Sequence, residues 1–354
     1  DSPRRAVSTM DGYAVRDADI AHPTAQLPVF AEIFPGTIDP GTLPVGSCAR
    51  IFTGGPLPAG ADRIVMQEHV RHEGHIALFE EAVSSSRFVR AKSSDFSVGA
   101  TLVSAGRQIR PRDLVAAAGG DLSSLVCWRQ PRIWLLANGD ELVAPGEAAV
   151  SQGTIPDSVT AGLSAMLEMW GGDIVGMTRM PDNLDVMAAA AAHAIGSSDL
   201  VVVIGGASVG DRDFAKAMFA ALDLHVDLEK VAMKPGKPVW FGRCGATLVM
   251  GLPGNPGSAL VTGRLLLAPL ISGLAGGDPR RIVEWQPATL RNDLGRCTDR
   301  ETFSRGRWDD GGVFVLGNQD SGAQSTLADA DLLIRQRANS PALGAGDTVE
   351  ILPF

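Results

Sequence analysis

The chain has 354 residues, more than one hydrophobic core usually serves, so two to four domains are expected. Its formal net charge of -9 argues against a nucleic-acid or anionic-membrane surface, and 45% hydrophobic with 20% charged residues is an ordinary globular balance. Cys48, Cys127, Cys244 and Cys297 form no CxxC pair, and neither a signal peptide nor a bilayer-spanning apolar run stands out. Zinc-finger, disulfide-framework and membrane classes fall away, and a reducing cytoplasm is the expected location.

The first hundred residues read as β-rich, with "RIVMQEHV" and "HIALFEEAV" as a hairpin about a His-Glu-Gly-His turn. His69, His72 and His75 fall three apart, but strand alternation puts His72 opposite His69, so a polar hairpin tip is expected rather than a metal site. Pro111 to about Ala118 reads as a helix stopped by Gly119-Gly120. From Arg132 the pattern changes: "RIWLLANG", "DIVGMTRM", "DLVVVIGG" and "ATLVMG" are apolar strands, alternating with helices at "DSVTAGLSAMLEMW", "NLDVMAAAAAHAIG", "DRDFAKAMFAAL" and "GSALVTGRLLLAPLISGL". That alternation predicts a parallel α/β sheet with helices on both faces. After about Ala275 the helices stop, and "VFVLG", "DLLIRQ" and "DTVEILPF" predict a small β domain. The expected divisions are a β-rich lobe at 1–98, a linking segment at 99–130, the α/β domain at 131–276 and the C-terminal β domain at 277–354.

Ligands of open α/β sheets sit at the carboxyl ends of the strands. Three loops there are rich in Gly, Asp and Asn: Asn138 to Leu142, Gly205 to Asp213 and Gly251 to Ala259. Backbone N–H groups at helix starts attract phosphate, which makes Gly205, Gly206, Ser208, Asp157, Ser158, Gly254 and Asn255 candidates for substrate binding. There is no GxxxxGK[ST] and no GxGxxG, so the two commonest nucleotide fingerprints are absent. In "MKPGKP" two lysines each precede proline, which disfavours regular structure and holds Lys234 and Lys237 where an oxyanion could meet them. Glu141, Asp211 and Asp213 are the candidate ligands of a Mg2+ bridging phosphate oxygens. A solvated cationic turn, and carboxylates serving only the helix dipole, are the competing readings.

Taken together, "STMDGYAVR", "IFTGGPLPAGADRIVMQE", "NGDEL", "GGASVGDRDF", "KPGKP" and "GLPGNP" resemble the molybdopterin molybdenumtransferases, the MoeA and gephyrin E-domain family, in the family's order and over nearly the whole chain. The resemblance implies insertion of molybdate into the dithiolene of adenylylated molybdopterin, with Mg2+ and release of AMP. It carries over Glu141, Asp182 and Asp213 as acidic positions needed for activity, and Lys230, Lys234 and Lys237 as a cationic cluster. Arg305 and Ser321 match residues completing the anion site, while Asp11, Thr53 and Asp95 match positions reaching it from a partner subunit. A homodimer is implied, with 99–130 as its dimerising segment, and the adenylyltransferase and molybdoenzyme apoproteins as further partners. The chain begins almost at "MDGYA", where relatives usually carry a preceding helical stretch, so part of that segment is expected to be missing. Val159 stands where the family commonly has asparagine, and "SGAQ" after Asp320 lacks an arginine that some relatives carry. Two other functions compete: the related molybdopterin adenylyltransferase, disfavoured by the extra lobes, and a non-catalytic gephyrin-like scaffold, disfavoured by the full set of charged site residues.

Overall fold

The computed structural model describes residues 1–22, 24–79, 84–206 and 214–354, in two units: Asp1–Ser104 with Ile109–Leu125, and Ala105–Gln108 with Val126–Phe354. The first unit is built on a six-stranded sheet in the order Arg63–Met66, Gly12–Val15, Cys48–Ile51, Ala25–Ile33, Ile76–Phe79 and Val70–Glu73. Alternate side chains go to opposite faces of a strand. Tyr13, Val15, Cys48 and Val65 accordingly pack in one core, and Ala14, Ala49, Ile51 and Ile64 in another. Burial pushes the Cys48 thiol up to about 12, which leaves it inert as a nucleophile.

"RIVMQEHV" does not form one strand. It breaks at a 3-10 turn, Gln67–His69, and its two halves take the two edges of the sheet. The hairpin is Val70–Glu73 against Ile76–Phe79, turning at Gly74 with φ of +61°. Among the described residues no group of three His, Cys, Asp or Glu side chains is placed to hold a metal ion.

The second unit holds the α/β sheet, in the order Asp173–Met180, Arg132–Asn138, Leu200–Ile204, Thr247–Leu252, Trp240–Cys244 and His225–Glu229. The first four strands are parallel and the last two antiparallel, so the sheet is mixed where the sequence predicts a parallel one. Ile133, Leu135 and Ala137 pack against the helix Ser158–Met169 and the helical run from Pro256, whereas Leu136, Val201 and Val203 pack toward the helix Leu184–Ser197. The run Pro256–Leu274 has the length and composition of a membrane span, contrary to the sequence reading, but Val261, Leu267 and Ile271 are fully buried in the protein core.

The same unit carries a second mixed sheet: Met233–Lys234, Glu301–Asp309, Leu332–Gln336, Thr348–Pro353 and Gln286–Thr289, with Gly312–Val315 beside Glu301–Asp309. Helix does not stop at Ala275, since Gln324–Ala328 forms one further short turn of it.

Asp199, just before the strand Leu200–Ile204, ties it to the segment that leads into Arg132–Asn138. It accepts from Arg129 Nη1 at 2.5 Å and Nη2 at 2.8 Å, and from the Arg132 backbone N–H at 2.7 Å. The Arg129 hydrogen bonds, with the Arg132 N–H and both positive charges, bring the Asp199 carboxyl down to about 2. A depressed folded-state pKa contributes stability above the unfolded value of about 3.9, lost as pH falls through the folded value. Asp199→Asn is therefore expected to lower stability at pH 7, with the gap to the native protein closing between about pH 4 and pH 2. Denaturant titrations across that range test it; a pH-independent gap would rule out the ionic contribution.

Candidate active site

The chain passes from Arg132–Asn138 to Asp173–Met180 on one side, and from Leu200–Ile204 toward Thr247–Leu252 on the other. The loops leaving Asn138 and Ile204 thus diverge at a topological switch point, which opens a crevice beyond the strand ends. A cavity of about 850 Å³ occupies it.

Glycine makes the crevice. Gly139 has φ of +149°, and a Cβ there would lie 2.8 Å from a Glu141 carboxylate oxygen. Gly205 and Gly206 have φ of +88° and +64°, conformations that side chains resist. The Asn138 amide, with its nitrogen toward the next strand, donates to the Ile204 carbonyl at 2.9 Å and so joins the two diverging loops. A Cβ at Gly206 would approach that amide to 2.9 Å. Gly206→Ala is expected to displace the Asn138 amide and reduce ligand binding at least tenfold, about 1.4 kcal/mol. Titration with substrate tests it, and native-like affinity would show that the turn tolerates a side chain.

The acidic side is held by short links. The Gly139 N–H donates to the Met180 carbonyl at 3.2 Å, and the Asp182 N–H to Asp140 Oδ1 at 3.0 Å, which brings Glu141 and Asp182 into one wall. Leu142–Val143 pairs in parallel with Ile155–Pro156, delivering Asp157 and Ser158. Asp157 also caps its helix, accepting from the Thr160 N–H at 3.1 Å. Val159 joins the wall too.

On the basic side, Lys230 and Lys237 line the cavity and Lys234 does not. Lys230 has φ of +63°, outside the range most side chains favour, and the N–H groups of Lys230 and Val231 donate to the Val239 and Lys237 carbonyls. Gly236 turns the loop at φ of +105°, where a Cβ would lie 2.4 Å from Thr262 Oγ1. Lys234 instead sits exposed on a two-residue strand paired with Glu301–Thr302.

Gly205, Gly206, Gly254 and Asn255 complete the wall among the residues picked from sequence. Ser208, Asp211 and Asp213 lie outside the described residues. Arg305 and Ser321 are not in the wall. Arg305 is 1% exposed and donates to Gln319 Oε1 and to the carbonyls of Asn318, Asp320 and Ala323, so its donors are spent on the protein. Ser321 accepts from the Gly257 N–H at 2.7 Å through its backbone carbonyl. Asp11, Thr53 and Asp95 belong to the first unit. There the Thr53 N–H and hydroxyl donate to Asp11 at 2.7 and 2.9 Å, and hold its carboxyl below the ordinary range.

Sequence reasoning placed Asn138 in the first of the three candidate loops without a role of its own, and missed Ile155 and Gln324 as wall residues. The wall sets Glu141, Asp157 and Asp182 against Lys230 and Lys237, an arrangement suited to an anionic ligand accompanied by a cation.

Residues 1–120 match the family described as the MoeA N-terminal region (domain I and II), 134–273 the probable molybdopterin binding domain, and 287–354 the MoeA C-terminal region (domain IV). A molybdopterin molybdenumtransferase of Haemophilus influenzae is 33% identical, over 98% of this chain and 87% of its own length. Another from a Nostoc species is 32% identical, over 86% of this chain and 71% of its own. The crystal structure of a molybdopterin biosynthesis MoeA protein from Pyrococcus horikosii superposes with a TM-score of 0.84 at 26% identity, covering all of this chain and 88% of that one.

Proposed function

Since this chain belongs to the molybdopterin molybdenumtransferase family, transferases of molybdenum cofactor biosynthesis, we propose that it inserts molybdate into adenylylated molybdopterin with Mg2+-dependent release of AMP. The observation that carries the reading is the switch-point cavity, whose wall joins two lysines to three carboxylates. Lys230 and Lys237 hold molybdate oxygens by charge-assisted hydrogen bonds. The backbone at Gly205, Gly206 and Gly254 admits the substrate's phosphates close to the main chain.

The donor set fits Mg2+: hard carboxylate oxygens beside a polyanion site, the environment in which this ion binds through one or two carboxylates and substrate phosphates. Glu141 would hold it, together with Asp211 and Asp213, which lie outside the described residues, while Asp182 shares the cavity wall with Glu141. When bound it supplies a Lewis acid that draws charge from the phosphoanhydride. The sulfurs arrive on the substrate, so no protein thiolate is required, in keeping with the inert Cys48.

The protein acts as a cytoplasmic homodimer in this reading, with Asp11, Thr53 and Asp95 completing a partner subunit's site and 99–130 as the dimerising segment. It takes its substrate from the adenylyltransferase and passes the finished cofactor to molybdoenzyme apoproteins. Reconstitution tests the assignment: adenylylated molybdopterin, molybdate and this protein should activate a cofactor-free molybdoenzyme. Formation of adenylylated molybdopterin from ATP, without such activation, would assign the preceding step instead.

A further inference from the structure

Gln324 is the one residue of the C-terminal β region, 287–354, in the cavity wall among the described residues. Its placement is rigid. The loop before it is held by buried Arg305, whose guanidinium donates to the Asp320 carbonyl at 2.8 Å and the Ala323 carbonyl at 3.2 Å. The Ser321 carbonyl is fixed in turn by the Gly257 N–H, in the first turn of the helix from Pro256. Gly257 allows that approach, since a Cβ there would lie 2.8 Å from the Ser321 oxygen. The result is an exposed side chain on a clamped backbone, in the wall of the cavity.

The chemistry of the side chain narrows what it meets. Asn138 spends its amide on the Ile204 carbonyl, whereas the Gln324 amide has no hydrogen bond within the described residues. A neutral carboxamide does little for phosphate or molybdate, which the lysines serve. It offers one donor and one acceptor side by side, the pattern that pairs at two points with adjacent acceptor and donor groups on a nitrogen heterocycle. We propose that Gln324 recognises the heterocycle of the substrate, pterin or adenine, and that Arg305 is a positioning residue that acts through it. The inference rests on the molybdopterin reading of this cavity and adds a residue to it.

Equilibrium binding to the full chain, with molybdopterin and AMP as separate probes, tests the proposal in the native protein and in Gln324→Leu. Loss of the paired edge should weaken one probe about tenfold. Weaker molybdopterin binding assigns the pterin, and weaker AMP binding assigns the adenine. The melting temperature should stay at its native value, while KM rises with the weakened binding. Unaltered affinity for both probes would overturn the proposal while leaving the functional assignment standing. A fall in affinity matched by a fall in melting temperature would overturn it too, by making Gln324 structural. If the native protein binds neither probe, the assignment and the inference fall together.

Discussion

Lys237→Ala should reduce molybdate-dependent turnover by about two to three orders of magnitude, the usual effect of removing a fixed positive group from a site of developing or bound negative charge. Lys237 lies in the cavity wall and is exposed on a turn set by backbone bonds that alanine keeps, so the melting temperature should not move. Lys234→Ala supplies the contrast. Its side chain is outside the wall, on the strand joined to Glu301–Thr302, so its turnover should stay within about tenfold of native. Steady-state rates against molybdate concentration separate the two. Equal losses in both variants would mean that the cavity wall does not decide which lysine meets the anion.

Arg305→Met is expected to cost about 3 kcal/mol of stability. Methionine fills part of the space but leaves the carbonyls of Asn318, Asp320 and Ala323 without the donors that now satisfy them. Burial already draws the guanidinium pKa down, with Asp320 the one charge opposing it, so this is a costly group retained for its hydrogen bonds. Urea denaturation should show a lower midpoint with a similar slope. A loss below about 1 kcal/mol would contradict the clamp. Substrate affinity should fall as well, since the loop positions Gln324.

The residues that could be placed from sequence are those whose surroundings leave a periodic trace. Ile133 to Ala137 and Leu200 to Ile204 are buried on both faces, so their unbroken apolar runs announce central strands. His225–Glu229 is an edge strand with mostly exposed side chains, and "HVDLE" has no core face to display. Glu301–Asp309, one of the long strands of the C-terminal sheet, was hidden differently: "ETFSRGRWD" buries a charge at its centre, which reads as surface until the carbonyls around Arg305 are seen. The site divides along the same line. Glycine loops at the ends of recognisable strands marked Gly139, Gly205, Gly206 and Gly254. The two lysines of "KPGKP" could not be ranked, because what separates them is the turn at Gly236 against Thr262, a contact between residues 26 positions apart. Gln324 left no trace at all, since a distant arginine and the start of another helix put it there.

AMP release from adenylylated molybdopterin, followed with Mg2+ present and molybdate either supplied or withheld, tests the central claim most directly. Release that requires molybdate, rises with its concentration and fails without Mg2+ is the predicted result. Release at the same rate without molybdate, or none while the protein makes adenylylated molybdopterin from ATP, would contradict it.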